Sequence, residues 1–204
     1  KKIACEQFLM DVHEQNNFPV TIVRPSHTYD QTKLPNRGGW TAIDRLRRGK
    51  PIFIHGDGTS LWTMTHHADF AVGFTALLGH PGAIGEAFHI TSDEWLTWNQ
   101  IHQHIANAAG VELRAVHLPS EFIAAYDAEM GKGLLGDKMH SLIFDNSKLK
   151  KLAPEFKAKR SFREGAKDII QWFEQDEARQ HIDPEFNALT DEMIAAYQRS
   201  FPSA

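Results

Sequence analysis

A chain of 204 residues that is 42% hydrophobic and 24% charged can bury a core, which excludes disordered and fibrous classes. A formal charge of -4 and a pI near 6.3 argue against a nucleic-acid partner, because neutralising phosphates takes a concentrated basic surface. The lone cysteine, Cys5, excludes an intrachain disulfide and reads as a core residue.

No apolar run reaches membrane-spanning length and no leader-like segment is visible, so a cytoplasmic protein with no membrane partner is expected. The 12 histidines show no H-E-x-x-H or other ligand spacing, so no metal site is expected. The chain opens on Lys1-Lys2 and runs straight into a helical pattern with no capping residue, the start expected of a truncated or processed protein.

In chain order, residues 1–15 read as a helix with Ile3, Ala4, Phe8, Leu9 and Val12 on its apolar side. Pro19 to Val23 is a β-branched run of the kind found in buried parallel strands, closed by Arg24-Pro25. The polar loop from Ser26 to Gly39 is a natural binding surface. Trp40 to Arg48 reads as a helix stopped by Gly49 and Pro51, which makes Arg45, Arg47, Arg48 and Lys50 its polar face and last turn.

Pro51 to Ile54 predicts a strand, His55-Gly56-Asp57-Gly58 a tight turn, and Leu61 to Thr65 a second strand. A helix over 68–78, a strand over 86–90, a helix over 97–109, a strand over 112–118 and a helix over 119–130 follow. Residues 131–136 read as a glycine-rich connector. Asp145 or Asn146 is placed to cap a short helix, residues 161–173 form an amphipathic helix, and Thr190 to Arg199 a last one.

Several of these segments resemble the C-terminal portion of the extended short-chain dehydrogenase/reductase superfamily, the NAD-dependent epimerase/dehydratase proteins. Lys2-Ile3-Ala4-Cys5-Glu6 is similar to the continuation of that family's Tyr-x-x-x-Lys helix, which makes Lys2 the motif lysine and puts the tyrosine before Lys1. Val23-Arg24-Pro25-Ser26-His27-Thr28-Tyr29-Asp30 is similar to the R-P-x-N-V-Y-G segment, with His27 in place of Asn and Asp30 in place of Gly.

The run from Gly49-Lys50-Pro51 through Gly56-Asp57-Gly58 to Ala71 is similar to G-K-P…G-D-G-x-x-x-R-D-F-V-H-V-x-D-V-A. Trp62 there replaces the arginine that grips a sugar-nucleotide diphosphate, and Thr63 the next aspartate. Ala87-Phe88-His89-Ile90-Thr91, Phe144 to Leu149 and Arg160 to Gly165 resemble later family segments, while the tail after about Glu177 resembles none.

The resemblance implies an α/β fold, the C-terminal part of a Rossmann-like parallel sheet plus a small mixed α/β substrate-binding lobe. It divides the chain into a dinucleotide-domain remnant (1–30), a substrate-binding portion (31–175) and a helical tail (176–204). The implied function is that of the substrate side of an NAD- or NADP-dependent epimerase, dehydratase or reductase acting on a sugar nucleotide-like or small carbonyl or hydroxyl substrate.

Within it Lys2 would be catalytic and, with Pro25, Ser26 and His27, would contact the cofactor; Thr28, Tyr29, His55, Trp62 and Asp137 would meet substrate. With no glycine-rich β-α fingerprint recognised, the chain alone is expected to be inactive and to bind NAD(P) weakly at best. A homodimer through the first helix is expected. The alternatives are a non-catalytic relative on the same scaffold that became a binding or RNA-associated protein, and a metal-dependent hydrolase built on the His55, His66, His67, Asp57 and Asp69 region.

Overall fold

The computed structural model describes residues 1–202. Its elements are α1 (Lys2–Asn16), β1 (Thr21–Pro25), β2 (His27–Tyr29), α2 (Trp40–Arg47), β3 (Ile52–His55), β4 (Leu61–Trp62), β5 (Met64–His66) and α3 (His67–Leu77). After these come β6 (Glu86–Ile90), β7 (Leu96–Thr97), α4 (Trp98–Ala108), β8 (Ala115–Leu118), α5 (Ser120–Tyr126), α6 (Ala128–Gly133), α7 (Ser147–Leu152), α8 (Phe162–Glu174) and α9 (Pro184–Arg199). The fold is α/β, and no helix among the described residues is long and apolar enough to cross a membrane. The chain divides into two compact units.

The first unit comprises residues 1–28, 63–94 and 144–160. Its centre is a parallel ladder in which β1 pairs with β6 from Thr21 opposite Glu86 to Pro25 opposite Ile90. Leu77 from α3, Phe88 and Ile90 from β6, Leu149 from α7 and Phe156 form its core, with Val23 packed against them. Asn146, which the sequence offers as a cap, instead spans the end of β6: its Oδ1 accepts from the Thr91 backbone N–H at 3.1 Å and its Nδ2 donates to the Thr91 carbonyl at 2.7 Å.

The apolar side of α1 is only partly covered in this unit, with Leu9 and Val12 half-buried. None of its residues is buried, and Ile3 and Phe8 are 86% and 65% exposed. The expectation that Cys5 is a core residue is therefore corrected: it is exposed, because it sits on a helix that buries no side chain here. An exposed Arg24–Glu6 ion pair and a 2.8 Å bond between His13 Nδ1 and the Phe18 carbonyl tie α1 to the approach to β1.

The second unit comprises residues 29–62, 95–143 and 161 onward. Here β3 and β8 form a parallel ladder, from Ile52 opposite Ala115 to His55 opposite Leu118, and β4 and β7 a short antiparallel one. Capping boxes start α4 (Thr97 with Gln100) and α8 (Ser161 with Glu164), and the two helices pack together. Phe162, Ile169, Ile170 and Phe173 are the buried stripe of α8.

Several boundaries differ from the sequence expectation, three of them with a plain local cause. The last helix begins at Pro184, because Asp183 accepts from the Glu185 and Phe186 amides and Pro184 takes the first-turn position where no N–H is needed. The segment 119–130 is two short helices, broken where Asp127 leaves helical geometry and caps α6 through the Met130 amide. The glycine-rich stretch is not an open connector but the end of α6 and a π-helical turn over Leu134–Lys138.

Arg45, read from the sequence as part of a polar helix face, is 0% exposed. Its guanidinium donates to the Pro51 carbonyl (3.0 and 2.9 Å), to the carbonyl and Oδ1 of Asn187 (3.0 and 2.7 Å) and to Asp191 Oδ1 (2.6 Å). Truncation would strip the Pro51 carbonyl of both its guanidinium donors and open a cavity. Arg45→Ala is expected to lower unfolding stability by about 2–4 kcal/mol; urea denaturation checks this, and a change below about 1 kcal/mol would contradict it.

Candidate functional site

The first unit holds five of the residues singled out in the sequence. Lys2 stands exposed in the first turn of α1. Pro25 closes β1, and the chain turns at Ser26, whose hydroxyl bonds Thr65 Oγ1 at 2.6 Å. Thr65, fully buried, also accepts from the Ser92 amide at 2.8 Å, so the exits of β1 and β6 share one anchor. His27 is half-buried and Thr28 exposed at the start of β2.

This set fits one end of a dinucleotide only. The Lys2 ammonium and the backbone at the carboxyl end of β1 suit a ribose and its neighbouring ring, because ligands of parallel sheets gather at the carboxyl ends of strands. The sequence does contain a G-x-G-x-x-G spacing, at Gly131, Gly133 and Gly136. It runs through α6 and the π turn instead of opening a helix after a strand, and none of the three has a positive φ. It therefore builds no pyrophosphate cradle.

The second unit holds the rest. His55 ends β3, nearly buried, and the Lys138 carbonyl accepts from its Nε2–H at 3.1 Å and from the Ser60 hydroxyl at 2.9 Å. Since a carbonyl only accepts, the His55 proton sits on Nε2 and Nδ1 is left as an acceptor. The ring meets the edge of Trp98 (centroids 5.0 Å), and Trp98 packs on Trp62 at 5.5 Å.

Trp62 is only 5% exposed, so the open stacking wall that a tryptophan could offer at the arginine position is not what forms. Trp62 is instead packed inside the unit, with the Lys138 ammonium 5.4 Å from its ring centroid. Asp137, half-buried, lies beside Lys138 with its Oδ2 3.4 Å from Nζ. Tyr29 is placed elsewhere: it is a core residue, packed edge-on against Phe162.

A hollow of about 30 Å³ lies among these groups, bordered by Arg37, His55, Trp98, His102 and Lys138. Donors dominate it. The buried Trp98 Nε1–H has no hydrogen-bond partner. A Cβ placed on Gly133 would lie 3.0 Å from Arg37 Nη2 and 3.9 Å from Lys138 Nζ, so two cations converge on one glycine. Burial, followed by the Lys138 and Arg37 charges, pushes His55 below the ordinary histidine range despite its bond to the Lys138 carbonyl.

Sequence reading missed Arg37, Trp98, His102 and Lys138. Trp98 and His102 share a face of α4 one turn apart, where His102 Nδ1–H donates to the Trp98 carbonyl at 2.8 Å. No comparable signal marked Arg37. Asp57, proposed as a turn residue, does accept from the Thr59 amide and hydroxyl, and Asp69 accepts from the Arg160 amide at 2.9 Å. Among the described residues no three His, Cys, Asp or Glu side chains gather as a metal would require.

A family model described as "NAD dependent epimerase/dehydratase family" matches residues 1–91. Residues 1–91, a little under half of the chain, are thus similar to that family. The chloroplast stem-loop binding protein of 41 kDa b of Arabidopsis thaliana is 30% identical over 104 residues, 50% of this chain and 27% of that protein. A trifunctional UDP-glucose 4,6-dehydratase/UDP-4-keto-6-deoxy-D-glucose 3,5-epimerase/UDP-4-keto-L-rhamnose-reductase of the same plant is 24% identical over 174 residues, 85% of this chain and 24% of that one.

Among solved structures, UDP-glucuronic acid 4-epimerase from Bacillus cereus, in complex with UDP-glucuronic acid and NAD, superposes with a TM-score of 0.67 at 22% identity, covering 85% of this chain and 51% of that one. At that identity the likeness is one of fold. The chain spans about half the length of this structure and about a quarter of the two plant relatives.

The histidines beside the hollow set a pH response. Burial pushes His102 down to about 4, so at neutral pH it is uncharged in the folded chain. Below the unfolded value of 6.5 the unfolded chain binds a proton that the folded one refuses, and this continues until about 4. Unfolding stability is expected to fall by up to about 3 kcal/mol across that window through this residue. Urea titrations at pH 7 and 4.5 measure it; in His102→Leu the fall should shrink, and an unchanged fall would assign it to other groups.

Proposed function

We propose that this chain is the substrate-side part of an NAD(P)-dependent epimerase, dehydratase or reductase acting on an anionic, sugar nucleotide-like or small carbonyl or hydroxyl substrate. The family match over residues 1–91, with Lys2 at its start, is the observation that carries the reading. When bound, the nicotinamide supplies reversible hydride acceptance. Lys2 would bind ribose hydroxyls and hold the phenolate of a partner tyrosine in reach of neutral pH by its positive charge. Pro25, Ser26 and His27 would border the nicotinamide, and Thr28 and Tyr29 lead the chain away from it.

On the substrate side, His55, Arg37 and Lys138 would face the anionic group, with Asp137 beside Lys138 and Trp62 packed behind them. The exposed apolar residues of α1 support association of two copies through that helix. Two experiments on the full-length parent test the reading. Lys2→Ala should lower kcat by at least about 100-fold without lowering the melting temperature, and unchanged turnover would remove Lys2 from the chemistry. UDP-glucose and UDP-galactose are expected not to turn over, since no arginine stands at position 62 for a bidentate diphosphate grip; clear UDP-galactose turnover would overturn that expectation.

The second reading, a non-catalytic nucleic-acid-associated relative, draws on the name of the 41 kDa plant relative. The net charge of -4 opposes it. A mobility-shift measurement with stem-loop RNA at physiological salt separates the two, because submicromolar binding by a parent without turnover would replace the enzyme reading.

A further inference from the structure

Two strands of the first unit end side by side, and one hydroxyl joins their ends. β1 and β6 run parallel as far as Pro25 opposite Ile90, so the chain leaves both at the same edge, through Ser26 and through Thr91-Ser92. Thr65 of β5 links the two exits. Its Oγ1 accepts from the Ser92 amide at 2.8 Å and lies 2.6 Å from the Ser26 hydroxyl oxygen.

The direction of that last bond follows from burial. Thr65 is 0% exposed, and among the described residues its hydroxyl has these two partners only. An amide N–H only donates, so the Thr65 proton has a single acceptor in reach, Ser26 Oγ. If Ser26 donated instead, a buried O–H would be left with no partner, which folded chains avoid. Thr65 therefore donates, and the proton of Ser26 is left unspent. Ser26 is half-buried, and its side chain has no other hydrogen-bond partner among the described residues.

The far end of this relay is fixed as well. Asn146 accepts from the Thr91 amide at 3.1 Å and donates to the Thr91 carbonyl at 2.7 Å, and Ser92 Oγ accepts from the Glu94 amide at 3.0 Å, which holds the Ser92 N–H toward Thr65. Donors aligned head to tail, here Ser92 N–H, Thr65 O–H and Ser26 O–H, polarise one another. The family run that residues 49–71 resemble has valine at position 65, so the relay is no part of that pattern.

From this geometry we infer that Thr65 is a positioning residue: it takes the Ser26 oxygen as its acceptor and so reserves the Ser26 proton for a ligand, the carboxamide oxygen of a nicotinamide. The inference rests on the enzymatic reading, which borders the nicotinamide with Pro25, Ser26 and His27. Ligands of parallel sheets gather at the carboxyl ends of the strands, which is where this hydroxyl stands. A carbonyl oxygen only accepts, and Pro25 has no N–H to give it. The Ser26 hydroxyl supplies that donor.

Calorimetry on the full-length parent tests it, with NAD and NADP set against the corresponding ADP-ribose and phospho-ADP-ribose, which lack the nicotinamide. Ser26→Ala and Thr65→Val should each weaken the dinucleotide at least about threefold, the size of one hydrogen bond, and leave the ribose compounds unchanged. Thr65→Ser, which keeps the hydroxyl, should bind as the unaltered parent does. Adding Thr65→Val to Ser26→Ala should weaken binding no further, because Thr65 acts through Ser26. Equal losses for the dinucleotide and the ribose compounds, no loss in Ser26→Ala, a Thr65→Ser variant as weak as Thr65→Val, or a full second loss in the double variant each overturn the inference and leave the enzymatic reading standing. A parent that binds no dinucleotide overturns the enzymatic reading and this inference with it.

Discussion

The second unit depends on one buried cation. Arg45 reaches from α2 to the carbonyl of Pro51, just before β3, and to Asn187 and Asp191 on α9. A guanidinium taken fully out of water costs several kcal/mol unless its donors are met, and here hydrogen bonds to the Pro51 carbonyl, Asn187 and Asp191 meet them. The acid end stays 46% exposed and is shared with Lys50 at 2.7 Å, so little desolvation is added on that side. Hydrogen bonds from Arg45 and then Lys50 hold the Asp191 carboxyl below the usual range, and this support is lost as pH falls through that lowered value. Because β3 starts one residue after Pro51, the position of His55 at its far end follows from where Arg45 holds the chain.

Around His55 positive charge comes from the loop and the π turn instead of the strand. An arginine at position 62 would put a charged fork on the strand; Trp62 fills that volume with an apolar ring, and charge arrives from Lys138 on the π turn and Arg37 on the loop. An ammonium is a single point charge, and the Arg37 fork is exposed, so neither reproduces a buried bidentate grip. The two neutral histidines matter for the same reason. Each is fixed in one tautomer by a backbone carbonyl, at Lys138 and at Trp98, so the pocket keeps two cations without two further positive charges beside them.

How much of this was legible in the sequence depended on whether the signal was local. The Ser161–Glu164 capping box, the strand at 86–90 and the Asp57 turn are short-range patterns, and the structure reproduces them. The start of α9 was also local, in Asp183-Pro184, but the apolar periodicity begins later and hid it. Arg45 was out of reach: its position on α2 looks polar, and only the distant Asn187 and Asp191 make it a core residue. Lys138 and Trp98 were hidden likewise, since what gives them meaning is contact with Trp62 and His55 across long stretches of chain. The helix α1 shows the converse, an apolar stripe that was legible yet is only half covered by the described residues.

The tail ties these points together. Phe186, two residues into α9, lies where a Cβ on Gly38 would have to go, and it packs on Phe53 of β3 at 6.0 Å. Gly38 also has φ 77, which a side chain resists, so backbone and packing independently demand glycine there. A larger residue at 38 would displace Phe186 and with it the first turn of α9, whose next turn carries the Asn187 and Asp191 partners of Arg45. The loop before α2, the buried cation and the tail thus form one mechanical circuit. It closes around a cleft that Asn36 lines, so the tail, the part of the sequence with no family resemblance, supplies part of its wall.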